Sequence, residues 1–372
     1  MSPKRNPGAF WRPLRGRDFV LLPLVSLLTV VAMLGGGEIA ARIIWPMSLG
    51  VECQYGTPNG SRFRANCVSR YKAVDGPWVE DHFNDCGYRD AQSCKIAPEQ
   101  LRVAVIGSSM ARGHGAAYDT TFSARAAKML GRRCNKPVDF QNLSTDVNDV
   151  PTLDHRVPEA LKLKPSAILL LISSYDIQNV DAHPSTARQK QHLDFATLKH
   201  LFTSSRLVTV GQHYIYEDPA AQISVFLNTG SDDAHGYAVT PLPAKWEARV
   251  EKFGAIVDRG SAEARAANVP FILAYAPRRA QVLLDMPKYR RPNVDPLAID
   301  RRLQQVAAAD GAIFVDTTPS FAASPLYNSL FYIADGHPTA AGHAIIARDI
   351  VSTLLTLPAF AGCDRSPAPT PS

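Results

Sequence analysis

Leu101-Arg102-Val103-Ala104-Val105-Ile106-Gly107-Ser108-Ser109-Met110 is the stretch on which the reading of this chain turns. Its apolar run, 103–106, is short and uninterrupted, as expected of a strand buried on both faces of a parallel sheet. Gly107 permits a tight turn, and a helical pattern follows over 120–132. Working downstream, the apolar pattern predicts further strands at 138–143, 167–172, 270–275 and 312–315. Helices are predicted at 153–163, 245–267, 296–309 and 339–355, with an irregular insertion at about 177–243. Strands alternating with helices predict a flavodoxin-like three-layer α/β/α domain over 101–360 with a five-stranded parallel sheet. A Pro/Ser tail at 361–372 follows it.

Upstream the composition changes. Lys4, Arg5, Arg12, Arg15 and Arg17 precede the first acid, Asp18, and account for five of the formal net charge of +6. Only +1 is left for residues 18–372, so charge lends no support to a nucleic-acid surface. The basic arm (1–18) leads into an apolar segment (19–45) of about 20 residues or more, enough to cross a bilayer as a helix. Positive charge before an apolar span predicts an uncleaved signal anchor, with the arm in the cytoplasm and the rest outside the membrane. All six cysteines follow that segment. Their spacing has no CxxC and no nearby histidine pair, which favours disulfides over zinc. Cys53–Cys67 and Cys86–Cys94 are the expected local pairs. In a flavodoxin-like order the first and last helices end side by side, which makes Cys134–Cys363 the third. Residues 46–100, rich in Gly, Pro, Asn and Cys, read as a loop-rich lead-in.

Ligands of open α/β sheets bind beyond the carboxyl ends of the strands. Ser109 stands at the first such end, on a turn, although Ser108 and Ser109 are also suited simply to cap a helix. A serine hydroxyl needs a base. Asp335-Gly336-His337-Pro338, before the last helix, supplies His337 on the same edge, with Asp335 placed to orient the ring and Pro338 in the helix's first turn. Asp316 is the alternative orienter, and an Asp-Gly turn with a capping histidine is the plainer reading. His114 is either a substrate contact or a solvated loop residue. His343 is expected to pack or lie on the surface. Tyr214, Tyr216, Phe226, Tyr237 and Trp246 belong to a possible sugar platform or to ordinary aromatic packing.

Taken together, the Gly107-Ser108-Ser109-Met110 turn and the Asp335-Gly336-His337-Pro338 block resemble the SGNH or GDSL hydrolase superfamily. Asn84-Asp85-Cys86-Gly87-Tyr88-Arg89 is similar to a lead-in block of its exported members. Asp119-Thr120-Thr121-Phe122 and Asn142-Leu143 add weaker matches. The resemblance implies Ser-His-Asp ester chemistry by Ser109, His337 and Asp335, with no cofactor and no metal. It places the usual oxyanion donors at Ser144 or Val147 and at Tyr175, where the family commonly has Gly and Asn, and it puts Ser108 where an Asp is usual. The implied activity is an esterase or O-acyltransferase acting on ester, especially acetyl, groups of envelope or exported polysaccharide. The implied location is the outer side of a bacterial inner membrane. The alternative is an impaired envelope protein of the same fold that binds glycan or assists assembly.

Overall fold

The computed structural model describes residues 16–97, 100–145, 147–181, 205–229 and 232–363. The arm up to Arg15, part of the 177–243 insertion and the tail beyond Cys363 lie outside the described residues, as do the side chains of residues 147–149.

One unit comprises the N-terminal segment to Pro46 together with residues 193–211. Its helix Asp18–Ile44 runs unbroken through Pro23 and the three glycines at 35–37. It has 27 residues and an 18-residue window of mean hydropathy 2.3, which make it long and apolar enough to cross a membrane. Glu38 on that helix accepts hydrogen bonds from Ser205 Oγ and from the backbone N–H groups of Arg206 and Leu207. These N–H groups open the helix Arg206–Glu217 and have no partner within it.

The second unit holds the rest. Its lead-in forms β1 (Ser48–Leu49), β2 (Gln54–Thr57), β3 (Gly60–Phe63), β4 (Val68–Lys72) and β5 (Trp78–His82). β1, β4 and β5 make an antiparallel sheet and β2 pairs with β3. The loop-rich expectation for 46–100 is corrected accordingly. The strands have two to five residues, polar Ser69 and Asp81 occupy inward positions, and Pro58-Asn59 forms the hairpin turn between β2 and β3.

The main sheet consists of β6 (Leu101–Gly107), β7 (Val138–Asn142), β8 (Ala167–Ile172), β9 (Phe271–Tyr275) and β10 (Ile313–Asp316), all parallel, in the order β10-β9-β8-β6-β7. Successive side chains alternate between faces. Ala104, Ile106, Ile168, Leu170 and Leu273 pack with the helices Ala244–Ala266 and Ala298–Ala309. Val103, Val105, Leu169, Leu171 and Ile272 pack with the helices Phe122–Cys134 and Ala340–Leu354. The chain is thus a three-layer α/β/α fold with a five-stranded parallel sheet. Replacing a fully buried leucine such as Leu169 with alanine would cost about 2–5 kcal/mol.

Two helical expectations change. In place of a helix at 153–163 there are 3-10 turns and a short helix, Val157–Leu161, with Pro158 in its first turn, where it has no N–H to continue a ladder from the preceding residues. The insertion is not irregular throughout: Arg206–Glu217, Pro219–Thr229 and Asp232–His235 are helical. Pro219 is tolerated because it is the first helical residue. All six cysteines are paired, as Cys53–Cys67, Cys86–Cys94 and Cys134–Cys363.

Candidate active site

Ser109 is the first residue of a short helix, Ser109–Arg112, that follows β6 directly. The turn between them needs Gly107, since a Cβ there would collide with the Leu171 carbonyl oxygen and the Ala111 side chain. The helix ends on Gly113, whose φ of +80° is left-handed. The segment is therefore bent sharply at both ends, and Ser109 is left half-buried at the carboxyl edge of the sheet.

His337 Nε2 lies 2.9 Å from Ser109 Oγ, and His337 Nδ1 lies 2.6 Å from Asp335 Oδ1. With the proton on Nδ1, facing the carboxylate, Nε2 is the acceptor for the serine hydroxyl. Asp335 Oδ1 also accepts the His337 backbone N–H at 3.2 Å, and Oδ2 accepts the Tyr71 hydroxyl at 3.0 Å. Burial pushes the Asp335 carboxyl up. The His337 charge and these hydrogen bonds outweigh it and hold the group below the usual carboxylate range. Tyr332 N–H to the His337 carbonyl and Gly336 N–H to the Tyr332 carbonyl close the loop. Pro338 bridges to Phe331, and the last helix starts only at Ala340, so Pro338 lies before the helix's first turn.

The lead-in braces this edge. Arg89, 1% exposed, donates to the carbonyls of Arg112, Gly113 and Ala116 and pairs with Asp81 at 2.7 Å. Tyr332 Oη donates to the Gly115 carbonyl. The segment after Ser109 is thus held from two sides.

The other expected residues fare differently. His114 is not a solvated loop residue: its ring is 3.6 Å from that of Tyr71 and 5.0 Å from that of His337, and Nδ1 is 2.7 Å from Arg112 Nη2. Burial, and then the Arg112 charge, push it well below the ordinary histidine value, so it stays neutral. Ser144 N–H donates to Asn142 Oδ1, and the Ser144 hydroxyl is buried without a partner. Val147 opens the 3-10 turn Val147–Thr152, and its side chain is outside the described residues. Tyr175 accepts a hydrogen bond from Arg278 Nη2 at 2.7 Å. Asp176 is buried and caps its own short helix through Ser173 N–H and Oγ. Asp316 accepts from Thr318 N–H within its own turn, while Asp335 is the carboxylate on His337. His343 is fully buried against Phe122, and burial pushes it down to about 3. Tyr237 and Trp246 are core residues, Tyr214 is exposed, and Tyr216 and Phe226 line a cavity beside Asp335.

Sequence reasoning missed Tyr71, which sits on a strand with no legible pattern. It quoted Arg89 only as part of a block. Asp85, Cys86 and Cys94 come within ligand distance of one another, but the two cysteines are joined in a disulfide and offer no thiolate.

Residues 105–345 match the model of the GDSL-like Lipase/Acylhydrolase family. Among solved structures the chain is similar to an alpha/beta hydrolase enzyme from the metagenome of Lake Arreo, Spain, at 15% identity and TM-score 0.42, covering 73% of this chain and 99% of that one. It is similar to a catalytic mutant of an acetylxylan esterase from Geobacillus stearothermophilus, at 15% identity and TM-score 0.39, covering 68% and 93%. A psychrotrophic esterase from Pseudoalteromonas sp. matches at 10% identity and TM-score 0.37, covering 68% and 96%. No curated protein matches the chain.

Proposed function

We propose that this chain, which belongs to the GDSL-like lipase/acylhydrolase family, cleaves esters through Ser109 as nucleophile, His337 as base and Asp335 as orienter. The observation that carries this reading is the unbroken hydrogen-bonded line from Ser109 Oγ through His337 to Asp335. Ser109 Oγ attacks the acyl carbonyl carbon as His337 Nε2 takes its proton. The tetrahedral adduct collapses, the C–O bond to the alcohol breaks, and His337 gives the alkoxide that proton. Water, deprotonated by His337, then attacks the acyl-serine ester, releasing the acid and restoring Ser109. With a sugar hydroxyl in place of water, the same steps transfer the acyl group.

The Ser109 backbone N–H, in the first turn of its helix, has no intrahelical acceptor and is the natural first donor to the oxyanion. Ser144 N–H is engaged by Asn142, so a second donor has to come from elsewhere. A missing donor costs about 100- to 1000-fold in turnover, which predicts a slow enzyme on simple esters. The substrate we favour is an acetylated envelope or exported glycan. The apolar helix Asp18–Ile44 would hold the enzyme on the outer face of the inner membrane, and the three disulfides accord with that compartment.

The rival reading, a non-catalytic glycan binder of the same fold, draws on the engaged Ser144 N–H and on Tyr175 in the usual Asn position. Hydrolysis of p-nitrophenyl acetate and labelling by a fluorophosphonate decide between them. Wild type should react in both assays and Ser109→Ala in neither. Equal hydrolysis by the two proteins, with no label on either, would sink the serine-esterase reading.

A further inference from the structure

Tyr175 follows β8 and Arg278 follows β9, so both stand at the carboxyl edge of the sheet that carries Ser109. They line one cavity of about 360 Å³, and Ala334, Asp335 and Gly336 form another part of its wall. That volume is near the lower end of those of small-molecule sites and suits a single sugar unit. The cavity opens against the loop that holds His337.

Arg278 is unusual in its company. Its guanidinium carbon lies 3.7 Å from the centroid of the Tyr175 ring, and Nη2 donates to Tyr175 Oη at 2.7 Å. Phe226 and Tyr237 present further rings at 6.0 and 5.7 Å. Nη1 is buried and has no hydrogen-bond partner. Among the described residues no carboxylate pairs with Arg278. The neighbouring Arg279, on the same cavity, donates to the Tyr216 carbonyl and the Gln222 side chain, both uncharged. Asp335, the one acid among the described residues of the wall, is already held by His337 and Tyr71.

Arg278 is half-buried, its Nη1 is shielded from water without a partner, and a partly desolvated guanidinium with no counter-ion is unfavourably placed. The same planar fork is well matched to the paired oxygens of a carboxylate or phosphate. We propose that this cavity takes an anionic group, a carboxylate or a phosphate on the sugar that bears the ester, with Arg278 as its counter-ion. This rests on the esterase reading above and narrows its substrate to acidic glycans. Arg278 is then a specificity residue, and Tyr175 is the platform that keeps its guanidinium in plane.

Binding of ester-free sugars to the full chain tests this without turnover. Calorimetric titration would compare trigalacturonate with xylotriose, and glucose 6-phosphate with glucose. The acidic member of at least one pair should bind tenfold or more tightly, and which pair shows the preference identifies carboxylate or phosphate. Arg278→Gln should abolish the preference and Arg278→Lys restore part of it, and added salt should weaken it. Equal binding within both pairs, no binding of any sugar, or an acidic preference that survives Arg278→Gln overturns the proposal. The comparison within wild type needs no variant to fold. Loss of the serine-esterase reading would show in the p-nitrophenyl acetate assay and leave these titrations unchanged.

Discussion

Tyr71 donates its hydroxyl hydrogen to Asp335 Oδ2 at 3.0 Å, so a lead-in strand touches a carboxylate 264 residues further along the chain. Tyr71→Phe keeps the ring against His114 and removes only that donor. One lost hydrogen bond to a charged group is worth about 1.5–3 kcal/mol at most, and a decrease in kcat of about 3- to 30-fold is expected. Asp335 sits below its ordinary value, so its stabilising contribution is present above pH about 4 and is lost as pH falls through its folded value. Without the Tyr71 donor the folded value rises toward the ordinary one, so that loss should be smaller and should be complete at higher pH. Acid unfolding followed by circular dichroism checks it; an unmoved acid limb would count against the contact.

Arg89 and Asp81 are each 1% exposed and paired at 2.7 Å, with three carbonyls around the guanidinium. Arg89→Met strands the Asp81 charge and the carbonyls of Arg112, Gly113 and Ala116. A loss of about 3–5 kcal/mol is expected, with ester hydrolysis falling alongside because the segment after Ser109 loses its brace. Urea denaturation and p-nitrophenyl acetate rates measure the two effects.

Cys134–Cys363 closes a loop with a sequence separation of 229. On chain-entropy grounds Cys363→Ser should lower stability by about 3–5 kcal/mol. The neighbouring ends of the Phe122–Cys134 and Ala340–Leu354 helices should separate first. Hydrogen exchange would locate that opening; uniform protection in both helices would contradict it.

Burial pushes the Asp90 carboxyl up to about 6, although it accepts from Tyr118 Oη, Gln92 N–H and Gln141 Nε2. A raised carboxyl contributes its stability at low pH and loses it as pH rises through the folded value. The stability of Asp90→Asn relative to wild type should therefore improve between pH about 4 and about 6, by about 1–3 kcal/mol. It should change little above that window. Melting temperatures of both proteins across that range provide the test, and a constant difference would refute the assignment.

The sheet was legible because each strand is an apolar run between turn-forming residues, a consequence of burial on both faces. From such runs the carboxyl edge follows, and with it the positions of Ser109 and His337. The lead-in strands escaped because they are short and because inward positions of β4 and β5 hold polar Ser69 and Asp81, so burial alternates where hydrophobicity does not. The helices at 206–229 escaped because prolines and aromatics look like loop chemistry until Pro219 is seen to start a helix. Tyr71 and Arg278 act through space on residues far away in sequence, and no local pattern encodes such a contact. The solvated alternative for His114 fails for a related reason. Its glycine-rich neighbourhood signals a loop, but the Tyr71 ring that covers it comes from β4.

The lead-in's grip on the candidate site means that the unit holding it is larger than the family-matching stretch. A fragment trimmed to the family-matching residues, 105–345, would keep Ser109, Asp335 and His337. It would lack Arg89, Tyr71 and the partner of Cys134. Such a fragment would contain every residue of the proposed triad and little of what aligns it. Enzyme design on this scaffold therefore has to begin upstream of β4, where the sequence least resembles an enzyme.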